Sequence, residues 1–288
     1  MKKEQISRII FYVAGLLTLA LGIILNTKSD LGVSPIISVS YSISSILQLN
    51  FGNMTFALYT TFVIIEMFLH TATAKEQKKP LPLLLGMDLL QLPLSLVFTR
   101  FMNLFTAYLP SPSNSFLSKF LMLISGILCT GIGAAMSLDM RIIPNPGDGI
   151  VQAIADCLHK PVGFTKNCFD LFNISLTICI SLIFAHKLIG IGIGTVLSVL
   201  GVGRIIALFQ HLFLEKITKT AGLSQSLLPL HRQWYPSLLS VTKHQVHRVY
   251  DSFLSLPNCT RYAFACSADI ASRVCRRCRI SDSESPNS

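Results

Sequence analysis

Residues 34–52 read SPIISVSYSISSILQLNFG, and residues 145–163 read NPGDGIVQAIADCLHKPVG. Each stretch opens on a small polar residue and a proline and closes on a glycine. They are separated by 111 positions, and that offset aligns more than these two stretches. Ser7 meets Ser118, Gly15 meets Gly126, Gly22 meets Gly133, Pro35 meets Pro146, Ile43 meets Ile154, Leu47 meets Leu158 and Gly52 meets Gly163. Apolar identities are cheap in a greasy chain, but glycine and proline mark backbone requirements, so their recurrence in one frame points to an internal repeat. After a connection of different length, Gly86 pairs with Gly192.

Around these stretches the chain is membrane-grade. It is 51% hydrophobic and only 13% charged, with a mean hydropathy of +0.57. A soluble domain carries about 25% charged residues. Six long apolar segments emerge: Ile9–Thr27, Met54–His70, Leu81–Thr99, Phe120–Leu138, Leu171–Ala185, and Leu188–Gly203 continuing past Arg204 to Leu214. The first spans roughly 28 Å as a helix, enough to cross a bilayer. It follows Met1-Lys2-Lys3 but is too long for a signal core and no small-x-small cleavage site follows, so it is read as a retained span. The fold class is therefore an all-α integral membrane protein, with two repeats (about 6–108 and 116–214) of long, short, long, long helices.

The short segments, Ile36–Gln48 and Gly149–Leu158, are too short and polar to be confident spans. The first carries Ile36, Val39, Ile43 and Ile46 on one helical face and Ser38, Ser42 and Ser45 on the other. The second carries Asp148, Gln152 and Asp156 at four-residue spacing. They are either interfacial amphipathic helices or re-entrant elements lining a site. Ser34 and Asn145 suit the N-cap, and Pro35 and Pro146 the first helical position. Each half should then present a helix N-terminus with partial positive charge and free N–H donors. Transporters with internal repeats use such broken elements for substrate contact.

The net charge is +10, with +6 on residues 1–219 (16 Lys/Arg, 10 Asp/Glu) and +4 on residues 220–288 (8 and 4). No basic-aromatic patch suggests nucleic acid; the cations flank spans. If the short segments do not cross, both termini are cytoplasmic and the halves inverted. Lys2, Lys3, Arg8, Lys75, Lys78, Lys79, Arg141, Lys160 and Lys166 then lie inside, and Lys28 and Lys187 outside. If they cross, Lys75, Lys78 and Lys79 move outside. The positive-inside rule favours the six-span arrangement.

The ordered motifs form an outline: Leu21-Gly22-Ile23, Lys28-Ser29-Asp30-Leu31-Gly32-Val33-Ser34-Pro35, Phe51-Gly52, Pro144-Asn145-Pro146-Gly147-Asp148-Gly149, Pro161-Val162-Gly163 and Gly190-Ile191-Gly192-Ile193-Gly194-Thr195-Val196-Leu197. Over about residues 8–214 this resembles the YczE/YyaS/YitT group of bacterial multispanning membrane proteins. The resemblance implies a bacterial inner-membrane location but supplies no activity and no site residue.

Residues 220–288 are Ser-rich and basic, and are expected to form a disordered cytoplasmic tail. Cys259, Cys266, Cys275 and Cys278 include a C-x-x-C, but their spacing is not a common zinc pattern, and Arg276 and Arg277 repel a cation. No H-E-x-x-H or P-loop motif is present. Gly190, Gly192 and Gly194 read as small residues for helix packing within a span, and His70, His159, His186 and His211 lack metal-like spacing. No enzyme, metal or cofactor is expected. Intramembrane ionisable groups are functional candidates by default: Asp88 lies deep in its segment, whereas Glu66 lies near a helix end, where snorkelling competes. The candidate solute or ion site is Ser34, Pro35, Asp88, Asn145, Pro146, Asp148 and Gln152. The functional expectation is a small-solute transporter or permease in the lipid bilayer, the alternative a non-transporting accessory or sensor protein; a homo-oligomer is compatible with either.

Overall fold

The computed structural model describes residues 3–73 and 80–222. The tail, with its four cysteines, and Lys75, Lys78 and Lys79 lie outside the described residues. The described residues form eight helices: α1 (Lys3–Lys28), α2 (Pro35–Leu47), α3 (Phe51–Ala72), α4 (Leu81–Tyr108), α5 (Phe116–Asp139), α6 (Pro146–Leu158), α7 (Val162–Ala185) and α8 (Ile193–Thr220). The six long ones are long and apolar enough to cross a membrane. The protein is an all-α, multi-pass membrane protein.

Helix boundaries follow the 111-residue offset. α1 and α5 end on Lys28 and Asp139, α2 and α6 are both 13 residues long, and α3 and α7 begin at Phe51 and Val162. Unusual backbone follows it too. Asp30 and Arg141 have positive φ just after α1 and α5, and Gln48 and His159 have positive φ as the C-caps of α2 and α6. Each pair stops a helix at the same place in its half.

α1 and α5 form the most extensive interface. Their contact is a seam of small residues in which backbones touch. A Cβ on Gly15 would lie 2.7 Å from Ser137 N, one on Gly22 2.3 Å from Thr130 N, and one on Gly126 2.6 Å from Asn26 N. Rising numbers on α1 meet falling numbers on α5, so the helices are antiparallel. α1 and α5, which the 111-residue offset aligns, thus run in opposite senses. Both ends of the seam are tied. Arg8 Nε donates to Met140 O and its Nη2 to Arg141 O, both at 2.8 Å, and at the other end Lys119 pairs with Asp30 at 3.0 Å. Arg8 and Lys119 are themselves one offset apart.

The interior holds a hydrophobic core that includes Leu19, Ile24, Tyr59 and Met102, but the outer surface is apolar and the interior also takes in many polar groups. Ile64, Phe68, Phe172, Ile183 and Phe184 are exposed, whereas Asn26, Ser38, Ser42, Thr55, Gln91, Asn173 and Thr177 are buried. Where lipid is the solvent, apolar side chains face outward at no cost and polar ones must find partners inside. On α2 it is the serine face that packs: Ser38 and Ser42 share hydrogen bonds of 2.7 Å with Thr177 and Ser181 of α7, while Ile43 and Ile46 are only half-buried.

One expectation is corrected. The last apolar segment does not begin as helix at Leu188; residues 188–192 are irregular and α8 starts at Ile193. Gly190 and Gly192 therefore serve a loop crossing rather than helix packing. Gly190 has φ +77° and its carbonyl accepts from Val33 N at 2.9 Å; Gly194 N donates to Leu31 O at 2.7 Å. Gly32, at φ +120°, faces Thr195 so closely that a Cβ would lie 2.7 Å from its hydroxyl. This crossing anchors the segment that leads into α2.

Candidate functional site

The two short helices enter the bundle N-terminus first. Ser34 and Asn145 hold extended backbone (φ −61°, ψ 138° and φ −65°, ψ 140°), and Pro35 and Pro146 occupy the first helical position. Proline's fixed φ suits that position and its missing N–H leaves no orphan there. Contrary to expectation, neither Ser34 nor Asn145 caps its helix through its side chain. The Asn145 amide instead donates to Tyr59 Oη at 3.3 Å, placing the α6 terminus beside the first half of α3. Ser34 and Pro35 lie beside Asp170, in the first half of α7.

From these points α2 runs alongside α7 and α6 alongside α3, each toward its neighbour's C-terminal end. Pairing advances in step, from Ser38–Thr177 to Ser42–Ser181, and from Asn145–Tyr59 to Gly149–Glu66. Both N-termini therefore sit deep in the bundle, and they meet. Ile36 Cδ1 lies 2.6 Å from where a Cβ of residue 147 would be, so the Ile36 side chain packs directly on the backbone of Gly147. The two short helices are half-helices with buried, converging N-termini. Each aims partial positive charge and N–H groups inward.

Charged side chains gather there. Lys166 Nζ lies 3.4 and 3.3 Å from the two carboxylate oxygens of Asp170, one turn apart on α7. A cavity of about 30 Å³ is lined by Ser34, Pro35, Lys166, Asp170, Ser198 and Gly203, among others. That holds about one or two water molecules. Ser198 accepts from Asn26 Nδ2 at 2.7 Å, tying α8 to α1 at the cavity wall. Asp148, in the first turn of α6, lies within the electrostatic reach of Lys166 and Asp170. Burial raises its carboxyl above the usual range, Lys166 opposes the rise and Asp170 adds to it.

Of the residues singled out from sequence, Ser34, Pro35, Asn145, Pro146 and Asp148 belong to this convergence. Gln152 lies one turn further along α6, half-buried. Asp88 is elsewhere: on α4 it pairs with His70 of α3 at 2.8 Å. Lys166, read from the sequence only as a charge on the inner side, pairs with Asp170, which is only 4% exposed. Their four-residue spacing in an otherwise uncharged segment was the available signal. Tyr59 carried none, since its role depends on meeting Asn145 from the other half. Glu66 was expected near a snorkelling position, but it is 2% exposed and accepts from Gln91 Nε2 at 3.0 Å.

The profile of a family of unknown function, DUF6198, matches residues 6–211. The chain is also similar to the uncharacterized protein YyaS of Bacillus subtilis (strain 168), at 28% identity over 201 residues, covering 69% of this chain and 90% of YyaS. No solved structure gives a significant match. The matched region runs from the first turn of α1 to about two-thirds of the way along α8, so it contains both half-helices and the groups around them. With more than half its length matched, the chain belongs to the DUF6198 family of unknown function.

Proposed function

We propose that the protein is a secondary transporter or permease for a small polar solute or ion, in a bacterial cell (inner) membrane, with both termini cytoplasmic. In this reading it is a duplicated unit inserted in opposite senses, and its wider kinship extends to YczE and YitT proteins. One observation carries the reading: two uncapped half-helix N-termini converge at Ile36 and Gly147, deep between antiparallel halves. Their N–H groups and Lys166 would receive a negatively charged group of the solute; Asp148 and Asp170 would receive a positively charged group or a proton. The small cavity corresponds to a closed arrangement, so passage of a solute requires the half-helices to shift against α3 and α7. No catalytic step is assigned to any residue.

The test starts from a ligand screen on purified protein, since a specific binder raises apparent stability. Uptake or counterflow of that binder is then followed in proteoliposomes for the wild type, Asp148→Asn, Asp170→Asn and Lys166→Gln. Reduced flux in the variants is expected. Flux at the wild-type level in all three removes the site. A stable co-purifying partner with no flux of any binder favours the accessory or sensor reading instead.

A further inference from the structure

On the other side of α6 lies a second cluster with different chemistry. Glu66 and His70 sit one turn apart on α3, on the same helical face, and Asp88 faces them from α4. Their exposures are 2%, 8% and 2%. One ligand atom from each lies within 4.8 Å of the others. His70 Nδ1 is 2.8 Å from Asp88 Oδ2. Gln91 Nε2 donates to Glu66 Oε1 at 3.0 Å.

Two buried atoms here have no hydrogen-bond partner: Glu66 Oε2 and Gln91 Oε1. A buried carboxylate oxygen left unmatched is costly, more so than a neutral one. Among the described residues no lysine or arginine forms a salt bridge with Glu66 or Asp88, and His70 offers at most one positive charge against two carboxylates. The backbone of α6 lies close against the carboxylate, and a glycine makes the approach possible: a Cβ on Gly149 would lie 2.6 Å from Oε2. The site thus has two acidic oxygens and an imidazole nitrogen in reach of one point, a spare amide oxygen beside them, and a deficit of positive charge.

We propose that Glu66, His70 and Asp88 bind a divalent first-row transition ion, with the Gln91 amide as a fourth donor. A dication neutralises both carboxylates. A mixed nitrogen and oxygen donor set suits Zn²⁺, Mn²⁺ or Fe²⁺ better than Mg²⁺ or Ca²⁺, which prefer oxygen alone. Binding takes the lone pair of neutral His70, so any proton held between His70 and Asp88 leaves for solvent as the ion enters. Turning the Gln91 amide over presents its unpartnered oxygen to the ion. Bonds of about 2.0–2.2 Å require the three side chains to close by about an ångström, a rotamer adjustment rather than a helix movement. The site is independent of the transport reading, because occupancy is measured on the protein at rest.

The experiment uses the full-length protein, purified in detergent and stripped with a chelator. Zn²⁺, Mn²⁺ and Co²⁺ are titrated by calorimetry and thermal denaturation, with Mg²⁺ as the contrast, and the Co²⁺ complex is read by its visible absorption. One ion per chain is expected, with a raised melting temperature and Co²⁺ bands indicating a nitrogen ligand. Glu66→Gln, His70→Gln and Asp88→Asn should each weaken binding at least about 100-fold, the upper end of what outer-shell partners cost in metal sites. His211→Gln should not. Should a ligand variant fail to fold, Gly149→Ala supplies the second arm: it keeps every donor but pushes on Glu66, and weaker binding is expected. Absence of saturable Zn²⁺, Mn²⁺ or Co²⁺ binding by the wild type overturns the proposal, leaving at most a proton store. Binding untouched by the ligand variants or Gly149→Ala overturns it equally. Loss of flux with intact ion binding, or the reverse, separates this site from the one between the half-helices.

Discussion

Replacing Gly133 by alanine isolates the feature that holds the two halves together. A Cβ at this position would lie 2.3 Å from Leu19 N, 2.7 Å from Gly15 O and 2.8 Å from Leu19 Cα. All three are backbone atoms of α1, so no side chain can rotate away. Ordinary contact begins at 3.4 Å; 3.4 Å less 2.3 Å leaves α1 and α5 about 1.1 Å too close, and the seam must open by about that much. Overpacking costs about 1–3 kcal/mol, and a backbone obstacle puts this case at the upper end. Alanine returns about 1 kcal/mol through its helix propensity. The net loss is about 2 kcal/mol, a fall of roughly 4–8 °C in melting temperature for a bundle of this size. The control is Gly86→Ala, where nothing lies within 4 Å of the added Cβ; it should gain stability. Thermal denaturation of purified protein in detergent reads both. Equal stability of Gly133→Ala and wild type, or equal damage from Gly86→Ala, would refute the close antiparallel seam.

Four further outcomes follow from the same geometry. A reporter fused after Ala72 should share a membrane face with one fused at the N-terminus, because α1 and α5 are antiparallel and the short helices turn back; opposite faces would mean that α2 crosses. Tyr59→Phe removes the acceptor for Asn145 and should cost about 1 kcal/mol, measured as a small loss of thermal stability; an unchanged melting curve would show that the bond contributes nothing. Lys166→Gln should destabilise the bundle more than Lys219→Gln, since Asp170 is buried whereas Glu215 is exposed; equal effects would argue against a buried pair. Burial raises the Asp148 carboxyl, so the folded state prefers it protonated, and stability contributed by this group is lost as pH climbs from the ordinary carboxylate range through the raised value. Asp148→Asn should flatten that slope in a pH series of melting temperatures, and an unaltered slope would assign it to other groups.

Much of the scaffold was legible in the sequence because backbone requirements are local. Pro35 and Pro146 start their helices as their spacing implied, and the long apolar segments became the long helices. Faces were less legible. In water the apolar stripe of α2 would be the buried face; here Ser38 and Ser42 are buried against α7 while Ile43 and Ile46 of the stripe are only half-buried, so periodicity finds the stripe but not how deeply each face packs. Partners were least legible. Asp88 alone in an apolar segment reads as a site residue, yet nothing local says that it meets His70 rather than Asp148. Gly190 and Gly192 resembled helix-packing residues because a loop crossing another loop inside a bundle needs the same smallness as two crossing helices. What distinguishes them, a positive φ and a bond to Val33 at Gly190 and the close approach of Leu31 at Gly192, exists only in three dimensions.

The 111-residue offset also relates the two sites discussed above. It carries Glu66 to Thr177, His70 to Ser181, Gly149 to Ser38 and Tyr59 to Asp170. In one half Thr177 meets Ser38 through a 2.7 Å hydrogen bond; at the matching point of the other, the longer Glu66 meets Gly149, which has no side chain at all. Each pair fills a similar space between a half-helix and its parallel partner, one with two hydroxyls and the other with a carboxylate lying against bare backbone. The exchange is charge for neutrality at constant packing. The hydroxyl pair satisfies itself and fixes α2 to α7 in a neutral contact. The carboxylate satisfies only one oxygen, and an ion held by α3 and α4 would reach α6 through the close contact between Glu66 and Gly149. If ion occupancy controls how Glu66 presses on α6, the two half-helices differ in the condition under which they move: α2 is bound to α7 by hydroxyl pairs, and α6 is held to α3 by the Asn145–Tyr59 hydrogen bond and by a contact that ion occupancy would change. Adding the ion should then slow hydrogen exchange in α6 and the facing turns of α3 while leaving α2 and α7 unchanged. Equal protection of both half-helices would show that the exchanged pairs are a packing accommodation without consequence for motion.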